Sequence, residues 1–160
     1  MIEIENEGEN KLKLFDKQTQ QLEQDLNIEV DKWINIIKNC SNGIRGNIQK
    51  IPEVESDIIN YKQLADADIR KYSLMLYKDN SSLKPLKKKR FEFYMTSYQI
   101  KLKNSSDIKG LVEADIAKIQ YKLDVLEAHI NFLRDTSSNL KTLSYSVKNR
   151  IELLNILGLD

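Results

Sequence analysis

The sequence predicts an all-α, elongated and oligomeric protein with a long coiled-coil-like helix at its C-terminal end. Three observations carry that reading. From Ile116 to Leu154 apolar residues recur alternately three and four positions apart. Ile119, Leu126, Leu133, Leu140, Val147 and Leu154 fill one heptad position, and Ile116, Leu123, Ile130, Ser137, Ser144 and Ile151 fill the other. Only five glycines and two prolines punctuate 160 residues, which is too little turn signal for a many-stranded sheet. Finally, long helices are stabilised mainly by covering their apolar stripe, and a lone chain of this size would leave much of it in water, so self-association is expected.

Residues 1–15 are rich in Glu and Asn with little periodicity and read as a flexible acidic N-terminus. A first helix is expected from Asp16 to Cys40, with Leu22, Leu26, Val30, Trp33 and Ile37 on one face, stopping at Ser41-Asn42-Gly43. Pro52 suits a first helical turn, where its missing N–H would be unpaired anyway. From there a second helix carries Val54, Ile58, Tyr61, Ala65, Ile69, Tyr72 and Leu76 to Tyr77, and Asp79-Asn80-Ser81-Ser82 closes it. Lys84 to Arg90, interrupted by Pro85, reads as an extended or poorly ordered basic connection, and Phe91 to Tyr98 fits either a short helix or a strand-like segment. Residues 16–103 thus form a helical region with a basic connection at 84–103.

Residues 104–160 form the oligomerisation helix. Asn104-Ser105-Ser106-Asp107 supplies capping acceptors, the helix runs to Leu157, and Gly158 ends it. Its self-association residues are Ile116, Ile119, Leu123, Leu126, Ile130, Leu133, Leu140, Val147, Ile151 and Leu154. Val125, Phe132, Leu143, Leu153 and Leu157 widen the seam into an arc, which favours two neighbours: the chain's own second helix and another subunit. Ser137 and Ser144 permit close approach, fix register, or simply weaken the seam.

The net charge of +1 hides a division along the chain: residues 1–31 carry nine acids and three bases, and residues 32–160 carry fifteen acids and twenty-two bases. Lys84, Lys87, Lys88, Lys89, Arg90, Lys101 and Lys103 face Glu92 alone between positions 84 and 103, a block that attracts a polyanion. The acidic N-terminus is a candidate to occupy that block in the free protein.

Catalytic chemistry leaves few traces. His129 is the only histidine and flanks the seam, where a solvated or partner-packed ring is expected; Cys40 is the only cysteine and reads as a small buried or half-buried hydrophobe. Scattered carboxylates, one His and one Cys make no metal set, and the glycines make no phosphate loop. The expectation is a non-enzyme without cofactor or metal. No apolar run approaches the roughly 18 residues of a membrane span, and the acidic start lacks a signal peptide's basic and apolar parts, so a cytoplasmic protein with no membrane partner is expected.

Five bases within the seven residues from Lys84 to Arg90, followed by Phe91, Phe93, Tyr94 and Tyr98, put phosphate-pairing charge beside faces on which unpaired bases stack. Repetition of such a patch in an oligomer links weak contacts into strong binding of single strands.

The order of segments resembles the UvsY-type recombination mediators of tailed phages from Ile28 to Gly158. The likeness is carried by Lys50-Ile51-Pro52-Glu53-Val54, Lys71 through Tyr77, Ser105-Ser106-Asp107-Ile108, Leu126-Glu127, Val147-Lys148-Asn149-Arg150-Ile151-Glu152 and the terminal Gly158. The resemblance implies a small helical protein, in the host cytoplasm, that forms a hexamer or similar ring through its C-terminal region. It implies binding of single-stranded DNA and loading of a RecA-like recombinase in place of the phage single-strand-binding protein, in DNA recombination, repair and replication. The family's DNA-binding basic pair falls on Lys71 and Ser73 here, with Arg70 the nearest substitute for the second. The second helix is shorter than the family's, and the spacing from Leu126-Glu127 to Lys148-Asn149 is one heptad longer, which preserves the seam. The candidate DNA-binding residues are therefore Arg70, Lys71, Lys78, Lys84, Lys87, Lys88, Lys89, Arg90, Phe91 and Phe93. The alternative is a non-enzymatic coiled-coil scaffold or adaptor whose Lys run meets an acidic protein surface.

Overall fold

The computed structural model describes the backbone of residues 2–46, 48–98 and 104–158, and the side chains of residues 17–46, 49–98 and 104–158. Three helices account for nearly all of it: α1 Ile2–Arg45, α2 Ile51–Thr96 and α3 Ser105–Leu157, with one 3-10 turn at Ile48–Lys50 before α2. No strand occurs among the described residues, in agreement with the all-α reading.

The helices are longer than local signals suggest. α1 starts at Ile2 instead of Asp16, because Glu, Lys, Gln and Leu favour helical backbone whether or not their pattern is periodic. It also runs through Ser41-Asn42-Gly43 to Arg45. Gly43 is there to admit a neighbour: a Cβ on it would lie 2.9 Å from Val54 Cγ2 on α2.

α2 corrects the sequence reading most. It does not end at Asp79-Asn80-Ser81-Ser82, and Lys84 to Arg90 is helix, not an extended connection; the open choice for Phe91 onward resolves to helix through Thr96. Ser81 and Ser82 bond back into the helix, their hydroxyls donating to the Lys78 and Asp79 carbonyls at 2.7 Å each. Pro85 leaves the Ser81 carbonyl without its helical donor, a cost of about 3 kcal/mol in a helix interior. Tertiary packing offsets this: Leu83 is buried with Ile116 and Leu123, and Leu76, Leu86 and Ile119 pack around them. Burial of one Leu contributes roughly 1.5–3 kcal/mol.

α3 conforms to its expected bounds. The Asn104 carbonyl accepts from the Asp107 and Ile108 N–H groups, and Gly158, at φ +61°, closes the helix with its N–H on the Asn155 carbonyl at 3.2 Å.

The chain divides into two compact units, the first made of Met1–Leu22 and Tyr72–Ala128, the second of Glu23–Lys71 and His129–Asp160. In the second, three rows at seven-residue intervals make the core: Leu26, Trp33 and Cys40 on α1, Ile51, Ile58 and Ala65 on α2, and Leu133, Leu140 and Val147 on α3, all buried. Ser137 joins this core by donating to Asp66 Oδ1 of α2 at 2.7 Å, so the polar gap in the seam is a specific inter-helix contact. In the first unit the core is built around Leu83, Ile116 and Leu123, with Tyr72, Ile108, Val112 and Leu126 also buried.

Of the ten residues assigned to self-association, Ile116, Leu123, Leu126, Ile130, Leu133, Leu140 and Val147 are buried within the single chain, and Ile119, Ile151 and Leu154 are half-buried. The chain's own α1 and α2 supply matching apolar rows, so much less of the α3 stripe meets water than its length alone suggests.

Candidate nucleic-acid interface

Because α2 is continuous, its bases are distributed by helical geometry. Lys84, Lys87, Lys88 and Phe91, at spacings of three, four and seven, share one face, while Lys78, Lys89 and Phe93 fall on another. All eight candidates from Lys78 to Phe93 lie in the first unit; Arg70 and Lys71 lie in the second. Lys101 and Lys103 lie outside the described residues.

On the Phe91 face, α2 and α3 enclose an open groove of about 480 Å³. Phe91, Val112 and Ile116 give it an apolar bed, and Lys87, Lys88 and Lys109 supply positive charge. Glu92 and Glu113 also line it. Lys88 Nζ lies 3.9 Å from Glu92 Oε1 with both side chains well exposed, a weak pair that leaves the ammonium able to meet a phosphate. Lys109 and Glu113 escaped the sequence reading because nothing in their local pattern marks them; only the pairing of α2 with α3 brings them to Phe91.

Arg90 leans toward α3 while its side chain stays half exposed. Its Nε is 3.5 Å from Asp115 Oδ2, and the Tyr94 hydroxyl donates to the same oxygen at 2.8 Å. Donation to Asp115, helped by burial, raises the Tyr94 phenol above its ordinary value. Phe93, Tyr94 and Tyr98 form a cluster of edge-to-face contacts with centroids 5.0–6.2 Å apart. These rings spend much of their surface on one another, and Phe93 keeps an exposed edge. The structure thus unites Lys84, Lys87, Lys88 and Phe91 and sets Lys78, Lys89 and Phe93 apart from them.

In the second unit, Arg70 and Lys71 are exposed, and Lys71 acts on a cluster made of the buried His129 and the half-buried Glu29 and Asp68. His129 is buried, stacked on Phe132 at 6.1 Å, with Nε2 3.3 Å from Glu29 Oε2. Its ring is packed within its own chain, not solvated. Cys40 is buried as expected; burial, and secondarily the charge of Asp57, raises its thiol and keeps it protonated. Among the described residues no three His, Cys, Asp or Glu side chains are placed to share a metal ion, and no described helix is long and apolar enough to cross a membrane.

No family model, curated protein or solved structure matches this chain.

Proposed function

We propose that the chain is a non-enzymatic mediator of the UvsY type, which binds single-stranded DNA and helps a RecA-like recombinase replace a single-strand-binding protein. The observation that carries this reading is the α2–α3 groove, where Lys87, Lys88 and Lys109 accompany the half-exposed ring of Phe91. A nucleobase on that apolar bed leaves its flanking phosphates within reach of the lysines, and stacking of this kind contributes about 1–3 kcal/mol per base. Self-association as a hexamer or similar ring would multiply the contact. The surface that favours it is the end of α3, where Leu153, Ile156 and Leu157 are 58%, 80% and 65% exposed.

The test is fluorescence anisotropy of labelled oligonucleotides across a salt series, with light scattering of the free protein. The expected result is tighter binding to single strands than to duplex, with affinity falling as salt rises. Replacement of Lys87, Lys88 and Lys109 by Gln should lower the log-log slope by about 2, at roughly 0.7 per phosphate contact. Salt-independent affinity, or a lone subunit at micromolar concentration, overturns the reading. The adaptor reading draws on one observation, the carboxylates of Glu92 and Glu113 in the groove, which repel phosphate and suit a protein surface of mixed charge. A chain that oligomerises but neither retains oligonucleotide nor stimulates recombinase filaments fits that alternative.

A further inference from the structure

The second unit holds another groove, of about 310 Å³, between α2 and α3. Ile58 and Ile59 form its bed, Lys62 and Gln63 line one side, and Lys141, Ser144, Tyr145 and Lys148 line the other. No acidic residue lines it, in contrast to the groove of the first unit. Lys141, Ser144, Tyr145 and Lys148 recur at spacings of three, four and seven, one face of α3, and Tyr145 is 55% exposed. Neither Lys141 nor Lys148 has an ion-pair partner among the described residues. Lys62 is held by Asp66 at 2.7 Å, and Asp66 in turn accepts from Ser137, so its ammonium is positioned by a fixed carboxylate.

We propose that this groove is a second single-strand site, with one base stacked on Tyr145 and the adjoining phosphates on Lys141 and Lys148. The inference rests on reading the chain as a single-strand-binding protein and adds a site to it. Three features fit an unpaired polynucleotide. An exposed aromatic face accepts any base. Two uncompensated lysines seven residues apart flank it on the same helix face, as phosphates flank a base. Gln63, with an amide donor and acceptor, can meet a base edge of either polarity.

The test compares three full-length proteins, wild type, Lys141→Gln/Lys148→Gln and Tyr145→Leu, with a Lys87→Gln/Lys88→Gln variant as the control for the first groove. Circular dichroism establishes that each folds. The expected result is that the Lys141/Lys148 variant loses about 1.4 from the log-log salt slope, and that Tyr145→Leu weakens binding about fivefold or more. That weakening should vanish on an abasic oligonucleotide, and a photoreactive halopyrimidine oligonucleotide should cross-link to the peptide containing Tyr145. If wild type retains no oligonucleotide, the functional reading itself fails, and this site with it. If wild type binds and only the Lys87/Lys88 variant is weakened, the functional reading stands and the second site is refuted. Weakened binding of anionic lipid vesicles, with oligonucleotide affinity unchanged, also refutes it.

Discussion

The Tyr94 hydroxyl donates to Asp115 Oδ2 at 2.8 Å across the α2–α3 contact, and Arg90 Nε approaches the same oxygen at 3.5 Å. One of the five bases between Lys84 and Arg90 is therefore engaged with protein before any phosphate arrives. Asp115→Asn should release Arg90 and steepen the salt dependence of single-strand binding by about 0.7 in the log-log slope. Tyr94→Phe, which removes the phenol donor and leaves the ion pair, should lower stability by about 1 kcal/mol in a urea melt. An unchanged slope in Asp115→Asn would place Arg90 off the path of the strand.

Pro85 interrupts the hydrogen-bond ladder of an otherwise continuous helix. Pro85→Ala restores an N–H for the Ser81 carbonyl and removes the ring's steric conflict, so urea melts should show stabilisation of up to about 3 kcal/mol. A loss of stability would contradict a continuous α2 at this point.

The difference between what the sequence conveyed and what it concealed follows the range of the interaction. Leu133, Leu140 and Val147 lie on a period that survives into the core, and Pro52 and Gly158 carry their roles in backbone chemistry, so all five are legible. On α1 the buried row is Leu26, Trp33 and Cys40, while Leu22, Val30 and Ile37, expected on the same face, are half-buried at its flanks. The course of α2 was misread because Pro85 and the Asp79–Ser82 stretch are local breakers, whereas the burial of Leu83 that overrides them is tertiary. Both grooves are illegible for the same reason: Lys109 and Phe91, and Tyr145 and Ile58, come to line one groove only once α2 and α3 are side by side.

The ionisable cluster around the buried His129 makes stability depend on pH through two opposed groups. Burial holds the His129 imidazole below its ordinary value; the Glu29 carboxylate, 3.3 Å away, pulls it up, and Lys71 adds to the lowering. As pH falls through about 6.5 the unfolded chain takes up a proton that the folded chain refuses, so stability falls until the lower folded value is passed. Asp68 is raised by burial, then by its hydrogen bond to Glu29 and by that residue's charge, against Lys71 and Lys32. Its ionisation is therefore a cost above its folded value, relieved as pH drops through it. Urea melts at about pH 5 and about pH 8 should show that His129→Leu reduces the acid-side loss, and that Asp68→Asn raises stability at the higher pH. Equal losses with and without His129 would assign the acid sensitivity to another group.

The acidic stretch at the start of α1 and the basic stretch of α2 belong to the same compact unit, Met1–Leu22 with Tyr72–Ala128. Residues 1–22, the part of α1 in this unit, carry a net charge of −2 from five acids and three bases, with Glu3, Glu5, Glu7 and Glu9 gathered at its start, and the five bases from Lys84 to Arg90 are opposed within that stretch by no acid. Charges of opposite sign held in one folded unit lower the potential that a polyanion meets, most strongly at low salt, where the Debye length is long. Replacement of Glu3, Glu5, Glu7 and Glu9 by Gln removes four negative charges and keeps helix-forming side chains in place. Single-strand affinity should then rise at low salt, with the gain shrinking as salt is added, because screening already weakens the N-terminal field. Anisotropy titrations of the two proteins at matched salt measure it directly. Equal affinity at every salt concentration would mean that the acids of α1 do not compete for the α2 lysines.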